Sequence, residues 1–172
     1  HTYQITIDGD TKTYLEGTTF WDVAKEHQAE YSDDIVLAIY NNKLRELNRS
    51  VENDGVLTFV TTADVNGRKA YRRSTLMLLE TAIFQLYGAE IRLRVMHSLG
   101  QGKYCELYGA EVTVQLLDEI RKKMHELVHR DIKLLKKTIH TDKAIAKFHE
   151  YGMTDKEKLF HYRRSSHVNL YE

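Results

Sequence analysis

The tightest constraint on what this chain can fold into is a turn near its start. Asp8-Gly9-Asp10 stands between two stretches of extended character, the alternating Tyr3-Gln4-Ile5-Thr6-Ile7 and the run Thr11 to Leu15. Alternation at period two puts Tyr3, Ile5 and Ile7 on one face of a strand, and an Asp-Gly pair supplies the backbone freedom that a tight hairpin turn needs. Gly17-Thr18-Thr19 follows, with Asp22 three residues after Thr19. That spacing is a capping box, so a short helix is expected through about His27 with Phe20, Val23 and Ala24 inward. Ile35 to Tyr40 reads as a buried strand, Asn41-Asn42 as a turn and Lys43 to Leu47 as a short strand. Asp54-Gly55 then turns the chain into a last strand, Val56 to Val60. Two strands, one helix and then more strands within residues 1–62 is the order of a β-grasp domain, a mixed sheet wrapped around one helix.

A chain of 172 residues with 42% apolar residues has room for one medium domain or two small ones. Its 25 basic and 25 acidic residues cancel, so any contact with nucleic acid must come from a local patch. The single cysteine, Cys105, rules out an internal disulfide framework and fits a reducing compartment. No apolar run reaches the roughly 18 to 20 residues that span a bilayer, and no signal-peptide pattern opens the chain, so a soluble cytoplasmic protein is expected, with no membrane partner. The chain opens on His1 rather than Met and stops in Leu170-Tyr171-Glu172, which reads as the start of a strand. Both ends suggest a piece of something longer.

Thr61 to Gly67 reads as a linker, and Tyr71 to Gly88 as an amphipathic helix with Leu76, Leu79, Ile83 and Leu86 in its stripe. In Glu90 to Val95, Ile91, Leu93 and Val95 alternate with Arg92 and Arg94 as in a half-exposed strand; His97 to Lys103 reads as a glycine-rich flexible loop, and Tyr104 to Tyr108 as the second strand of a hairpin. Gly100-Gln101-Gly102-Lys103 lacks the spacing of a phosphate-binding loop and joins strand to strand, so hairpin geometry explains its glycines. Thr113 caps a long helix with Leu117, Ile120, Met124 and Leu127 inward. The same helix holds His125-Glu126-Leu127-Val128-His129, a formal H-e-x-x-H zinc-protease signature. At about 100° per residue both histidines fall on the solvated face, and Leu135 stands where a third histidine would be, so no metal site is expected. Ile132 to Ile139 reads as extended, Thr141 or Asp142 as the cap of a helix carrying Ile145 and Phe148, and Gly152 as its end. Thr154-Asp155-Lys156-Glu157 reads as a capping box for one more turn through Phe160.

The first segment, residues 1–62, resembles the TGS domain, a β-grasp module of threonyl-tRNA synthetases, some GTPases and stringent-response enzymes. The matching elements are the Asp8-Gly9 turn, Gly17-Thr18-Thr19 before Asp22-Val23-Ala24, Leu37-Ala38-Ile39-Tyr40 running into Asn41-Asn42-Lys43-Leu44, and Asp54-Gly55-Val56-Leu57. The resemblance implies a non-catalytic module that binds RNA or a small regulatory ligand. From residue 68 to residue 172 the order of elements is similar to the editing-type second domain of threonyl-tRNA synthetases, which recurs in alanyl-tRNA synthetases and free-standing deacylases. The fold class is thus α+β, a β-grasp domain followed by an α+β editing-type domain.

That second family carries R-H-S-x-x-H-L-L on its first helix and a late C-x-x-x-H, whose side chains surround the ester bond of a mischarged tRNA. The matching helix here reads Arg72-Arg73-Ser74-Thr75-Leu76-Met77-Leu78-Leu79, with Arg73 and Met77 at the two histidine positions. The late motif reads Arg163-Arg164-Ser165-Ser166-His167, with Arg163 at the cysteine position. Neither a permanently protonated guanidinium nor a thioether is a general base near neutral pH, so no catalytic residue is expected. Guanidinium groups do suit phosphate and carboxylate. The resemblance places Arg72, Arg73, Arg163 and Arg164 around the former catalytic cleft as candidate anion ligands, joined by His97, Gln101, Lys103 and His167.

The pair of modules, with the runs Tyr71 to Gly88, His97 to Leu107 and Tyr162 to Glu172, is similar to the N-terminal half of a bacterial uridine-kinase-like nucleoside kinase family. This implies a regulatory or ligand-binding role for a nucleotide or RNA end, no cofactor in these residues, ATP and Mg in a kinase domain outside them, and that kinase domain or self-association as partners. The alternative is an aminoacyl-tRNA deacylase or editing domain of a threonyl-tRNA synthetase-like protein.

Overall fold

A computed structural model describes residues 1–171. The first strands are β1 (Thr2–Ile7) and β2 (Asp10–Leu15), antiparallel in the register Ile7↔Asp10 to Thr2↔Leu15. Asp8 and Gly9 between them both have positive φ, 47° and 92°, as a two-residue I′ turn requires. Helix α1 (Phe20–His27) begins at the expected box: Thr19 Oγ1 accepts from the Asp22 N–H at 3.2 Å, while the Asp22 carboxylate accepts from the Thr19 N–H at 3.0 Å. A 3-10 turn (Gln28–Glu30) leads to β3 (Ile35–Tyr40), β4 (Lys43–Glu46) and β5 (Gly55–Thr61).

These five strands form one mixed sheet in the order β2-β1-β5-β3-β4, with β1 parallel to β5 and every other pair antiparallel. The α1 residues Phe20, Val23 and Ala24 and the sheet residues Ile5, Ala38 and Leu57 are buried in one core. This is the β-grasp arrangement, and the chain as a whole is an α+β protein.

Helix α2 (Val65–Tyr87) starts inside the expected linker. Asp64 accounts for the early start, since its carboxylate accepts from the Asn66 N–H at 2.7 Å and its carbonyl from the Arg68 N–H at 2.9 Å. Gly67 is buried, and a Cβ on it would lie 1.9 Å from the carbonyl oxygen of Thr61, so this glycine is a contact point between helix and strand end. The chain divides within α2 into two compact units, His1–Leu76 and Met77–Glu172.

The second unit begins with the C-terminal part of α2. It continues through the hairpin β6 (Arg92–Leu99) and β7 (Gly102–Tyr108), helix α3 (Val114–His129), β8 (Lys136–His140), α4 (Thr141–Glu150), α5 (Thr154–His161) and β9 (His167–Tyr171). Ile83, Ile91 and Ile120 form one small core, with Leu79, Tyr87, Leu116 and Met124 packed against it. Ala144, Phe148 and Val168 form another with Ile139, Phe160 and Leu170.

Local expectations are corrected in five places. Leu117 is 51% exposed and Leu116 packs inward in its stead, because the buried row of α3 runs Leu116, Ile120, Met124, Leu127. Leu86 is exposed and Tyr87 takes its place in the core, its hydroxyl donating to Glu119 at 2.6 Å. The His97 to Lys103 loop shrinks to Gly100 and Gln101, with Gly100 at φ 57°. The N-cap of α4 is His140, with Thr141 already inside the helix. The expected Thr154 capping box does not form, because Thr154 is itself the first helical residue and Glu157 lies 3.2 Å from His149 instead. Glu172, the end of the expected last strand, lies outside the described residues. No helix among the described residues is long and apolar enough to cross a membrane.

Candidate functional site

Of the eight candidate anion ligands, Arg72 and Arg73 belong to the first unit and the other six to the second. All eight are exposed. In the hairpin the register runs Val95↔Cys105 and then His97↔Tyr104, so Met96 is an extra residue in β6. Without this bulge His97 would share the face of Leu93 and Val95, which turns toward the core; with it, His97 stands opposite Tyr104, whose neighbours on that face are Glu106 and Tyr108. The two rings stack, with centroids 5.1 Å apart and planes 29° apart. Lys103 adjoins Tyr104 and so points from the other face, where its Nζ donates to Ser98 Oγ at 2.7 Å. The hairpin therefore separates His97 from Lys103 across its two faces.

The late motif is held by a buried hydroxyl. Thr141, 6% exposed, donates through Oγ1 to the Ser165 carbonyl oxygen at 2.5 Å and through its N–H to the Ser166 carbonyl oxygen at 2.9 Å. Ser165 Oγ in turn donates to the His167 carbonyl oxygen at 2.6 Å. This ties Ser165 and Ser166 to the first turn of α4. Arg163 lies over the Phe160 ring, 5.2 Å from its centroid, a cation-π contact.

His167 is not alone. It pairs across the strands with His140, the rings meeting edge to face at 5.3 Å between centroids, and its Nδ1 lies 3.0 Å from Ser166 Oγ. His140 Nδ1 lies 3.2 Å from the Asp142 carboxylate and 3.4 Å from the Asp142 backbone nitrogen. His140 is thus a neighbour of the candidate His167 that sequence reading misses. Its nearness to His167 comes from the register of β8 on β9, and twenty-six intervening residues carry no local sign of it.

Chemically the cluster offers two imidazoles, a carboxylate and hydroxyls around an exposed strand end. Met77 is half-buried and carries no titratable group, and Arg73 is exposed on the helix. No group of three or more His, Cys, Asp or Glu side chains among the described residues is placed to hold a metal ion. His125 and His129 of the H-e-x-x-H stretch are both exposed, and Glu126 between them pairs with Lys123 and Arg130, at 3.1 Å and 3.2 Å, which hold its carboxyl below the usual range.

The first unit has its own cleft of about 190 Å³, lined in part by Asp8, Asp10, Lys12, Tyr14, His27 and Glu30. Its cation is committed: Lys12 Nζ lies 2.6 Å from Glu26, whose carboxyl it holds below the usual range, and Tyr14 donates to Glu26 at 3.0 Å. Burial, followed by the Glu26 carboxylate, pushes the Tyr14 phenol up to about 12.

A β-grasp unit followed by an α+β unit is the arrangement of a tRNA-synthetase-like two-module region. Comparison with known proteins points the same way. The chain is 26% identical over 166 residues to the threonine–tRNA ligase of Syntrophotalea carbinolica, covering 95% of this chain and 26% of that protein. It is 30% identical over 139 residues to that of Acetivibrio thermocellus (80% and 22%), and 27% identical over 175 residues to that of Marinobacter nauticus (95% and 27%). The chain spans about a quarter of the length of these relatives. No family model matches it. The chain is threonyl-tRNA synthetase-like over most of its length, and these similarities lend no support to a nucleoside-kinase parent.

Proposed function

We propose that this chain is a threonyl-tRNA synthetase-like TGS and editing-type region that binds an RNA acceptor end without hydrolysing an aminoacyl ester. The observation that carries the reading is the replacement of three chemical groups at once: Arg73 and Met77 stand at the two histidine positions and Arg163 at the cysteine position. Hydrolysis needs a base aimed at water and a group that stabilises the developing oxyanion. The surviving His167 is engaged with Ser166 and His140, and its former partners are a thioether and guanidinium groups. What the replacement adds is fixed positive charge, which favours phosphate oxygens.

The test is ester hydrolysis with threonyl- and alanyl-tRNA, run beside binding of an acceptor-type RNA hairpin with a single-stranded 3′ end. Binding without turnover above buffer is expected. Turnover that disappears in His167→Ala would sink the non-catalytic reading, and absence of hairpin binding would sink the RNA-end reading.

A second reading concerns the parent protein. It rests only on the resemblance of the runs Tyr71 to Gly88, His97 to Leu107 and Tyr162 to Glu172 to a P-loop nucleoside kinase family that uses ATP and Mg in a separate domain. A G-x-x-x-x-G-K-[ST] motif after a strand, encoded downstream in the same gene, decides it.

A further inference from the structure

From Val65 to Leu79 the chain carries four cations, Arg68, Lys69, Arg72 and Arg73, and no acid. At about 100° per residue these four fall within an arc of about 140° on α2. Gly67 and Ala70 lie on the other side, Gly67 buried against Thr61 and Ala70 half-buried. All four cations are exposed.

This arrangement works against the helix. Lys69 and Arg73 are a like-charge pair four residues apart, which destabilises a helix as an opposite pair stabilises it, while Arg68 donates to the Ala63 carbonyl oxygen. Lys69 and Arg73 have no carboxylate partner among the described residues. Helix α3 shows the ordinary solution in the same protein: Asp118 takes Arg121 and Lys122, and Glu126 takes Lys123 and Arg130. Net charge is zero over the whole chain, so the concentration of cations on one helix face is a local feature.

We infer that this face of α2 grips the phosphate backbone of RNA. Arg68 to Arg73 rises about 7.5 Å along the helix axis. A nucleic-acid strand advances about 3.4 Å per phosphate, so the face spans about two phosphate steps. A polyanion laid across it relieves the repulsion that the helix otherwise carries. An anionic membrane fits less well, because a surface-lying helix needs an apolar face free to insert, and here the opposite face is occupied by the β5 end. The inference rests on the RNA-binding reading above and adds a location to it.

The experiment follows the salt dependence of binding to the same RNA hairpin for the full chain, for Lys69→Gln and for Lys69→Gln/Arg73→Gln. Arg121→Gln/Lys122→Gln on α3 is the charge-matched control. Each lost phosphate contact lowers the slope of log K against log salt by about 0.7 on a single strand or about 0.9 on a duplex. Slopes smaller by about one contact and then two, with the control unchanged and the melting temperature of the double variant equal or higher, support the inference. If the wild type binds and the slopes are equal in all variants, this face is not the contact and the RNA-binding reading survives. If the wild type does not bind, that reading fails with it. Vesicles of phosphatidylserine are run in parallel; binding to them that depends on Lys69 and Arg73, with RNA binding unaffected, overturns the assignment to RNA.

Discussion

The two units solve the problem of burying apolar surface differently. In the first, thirteen buried residues join in one core because a five-stranded sheet curls over a single helix. In the second, two sheets of two strands each leave two separate clusters of three buried residues. An isolated two-stranded ribbon is marginal in water, so each must borrow its inner surface from helices. The difference teaches where function can sit. The late stretch Arg163 to His167 lies on the thinner scaffold, held in place by single bonds such as that from Thr141.

The largest test of this contrast is truncation of the cores. Leu57→Ala, at a residue 1% exposed, should cost about 3 to 5 kcal/mol in urea unfolding of the first unit. Ile120→Ala, at 4% exposed in a smaller cluster with half-buried neighbours able to relax, should cost less, about 2 to 3 kcal/mol. Equal losses would mean the second core is as tightly closed as the first.

Smaller, and specific to the second unit, is Thr141→Val. It keeps the shape but leaves the Ser165 carbonyl without its hydroxyl donor, at a cost of about 1 to 3 kcal/mol. Faster amide exchange at Ser165 and Ser166 with little change in β1 to β5 is the expected signature; uniform change across both units would show that the units unfold together.

The smallest effect belongs to the α1 cap. Thr19→Ala should cost about 1 kcal/mol. Hydrogen bonds from the Thr19 side chain and backbone hold the Asp22 carboxyl below its ordinary value. A depressed carboxyl contributes stability above the unfolded value near about 3.9 and loses it as pH falls through the lower folded value. The difference in stability between wild type and Asp22→Asn should therefore shrink on acidification below about pH 4. A gap that stays constant to low pH would disconnect the carboxylate from the cap.

What sequence alone determined here is local. The Asp8-Gly9 turn, the Thr19 and Asp22 cap and the alternating strands of the first unit are contained within a few consecutive residues, so their physics is written in the order of the chain. Side-chain chemistry is equally local: neither the guanidinium of Arg73 or Arg163 nor the thioether of Met77 is a general base near neutral pH in any fold. Tertiary structure decided the rest. Gly67 reads as a linker residue until the Thr61 carbonyl is seen against it. His97 reads as a loop residue until the bulge at Met96 turns it onto Tyr104. His140 meets His167 only through pairing of two strands far apart in sequence. In each case the deciding contact is set by how elements pack or pair rather than by the residue's own propensity, and periodicity carries no information about it.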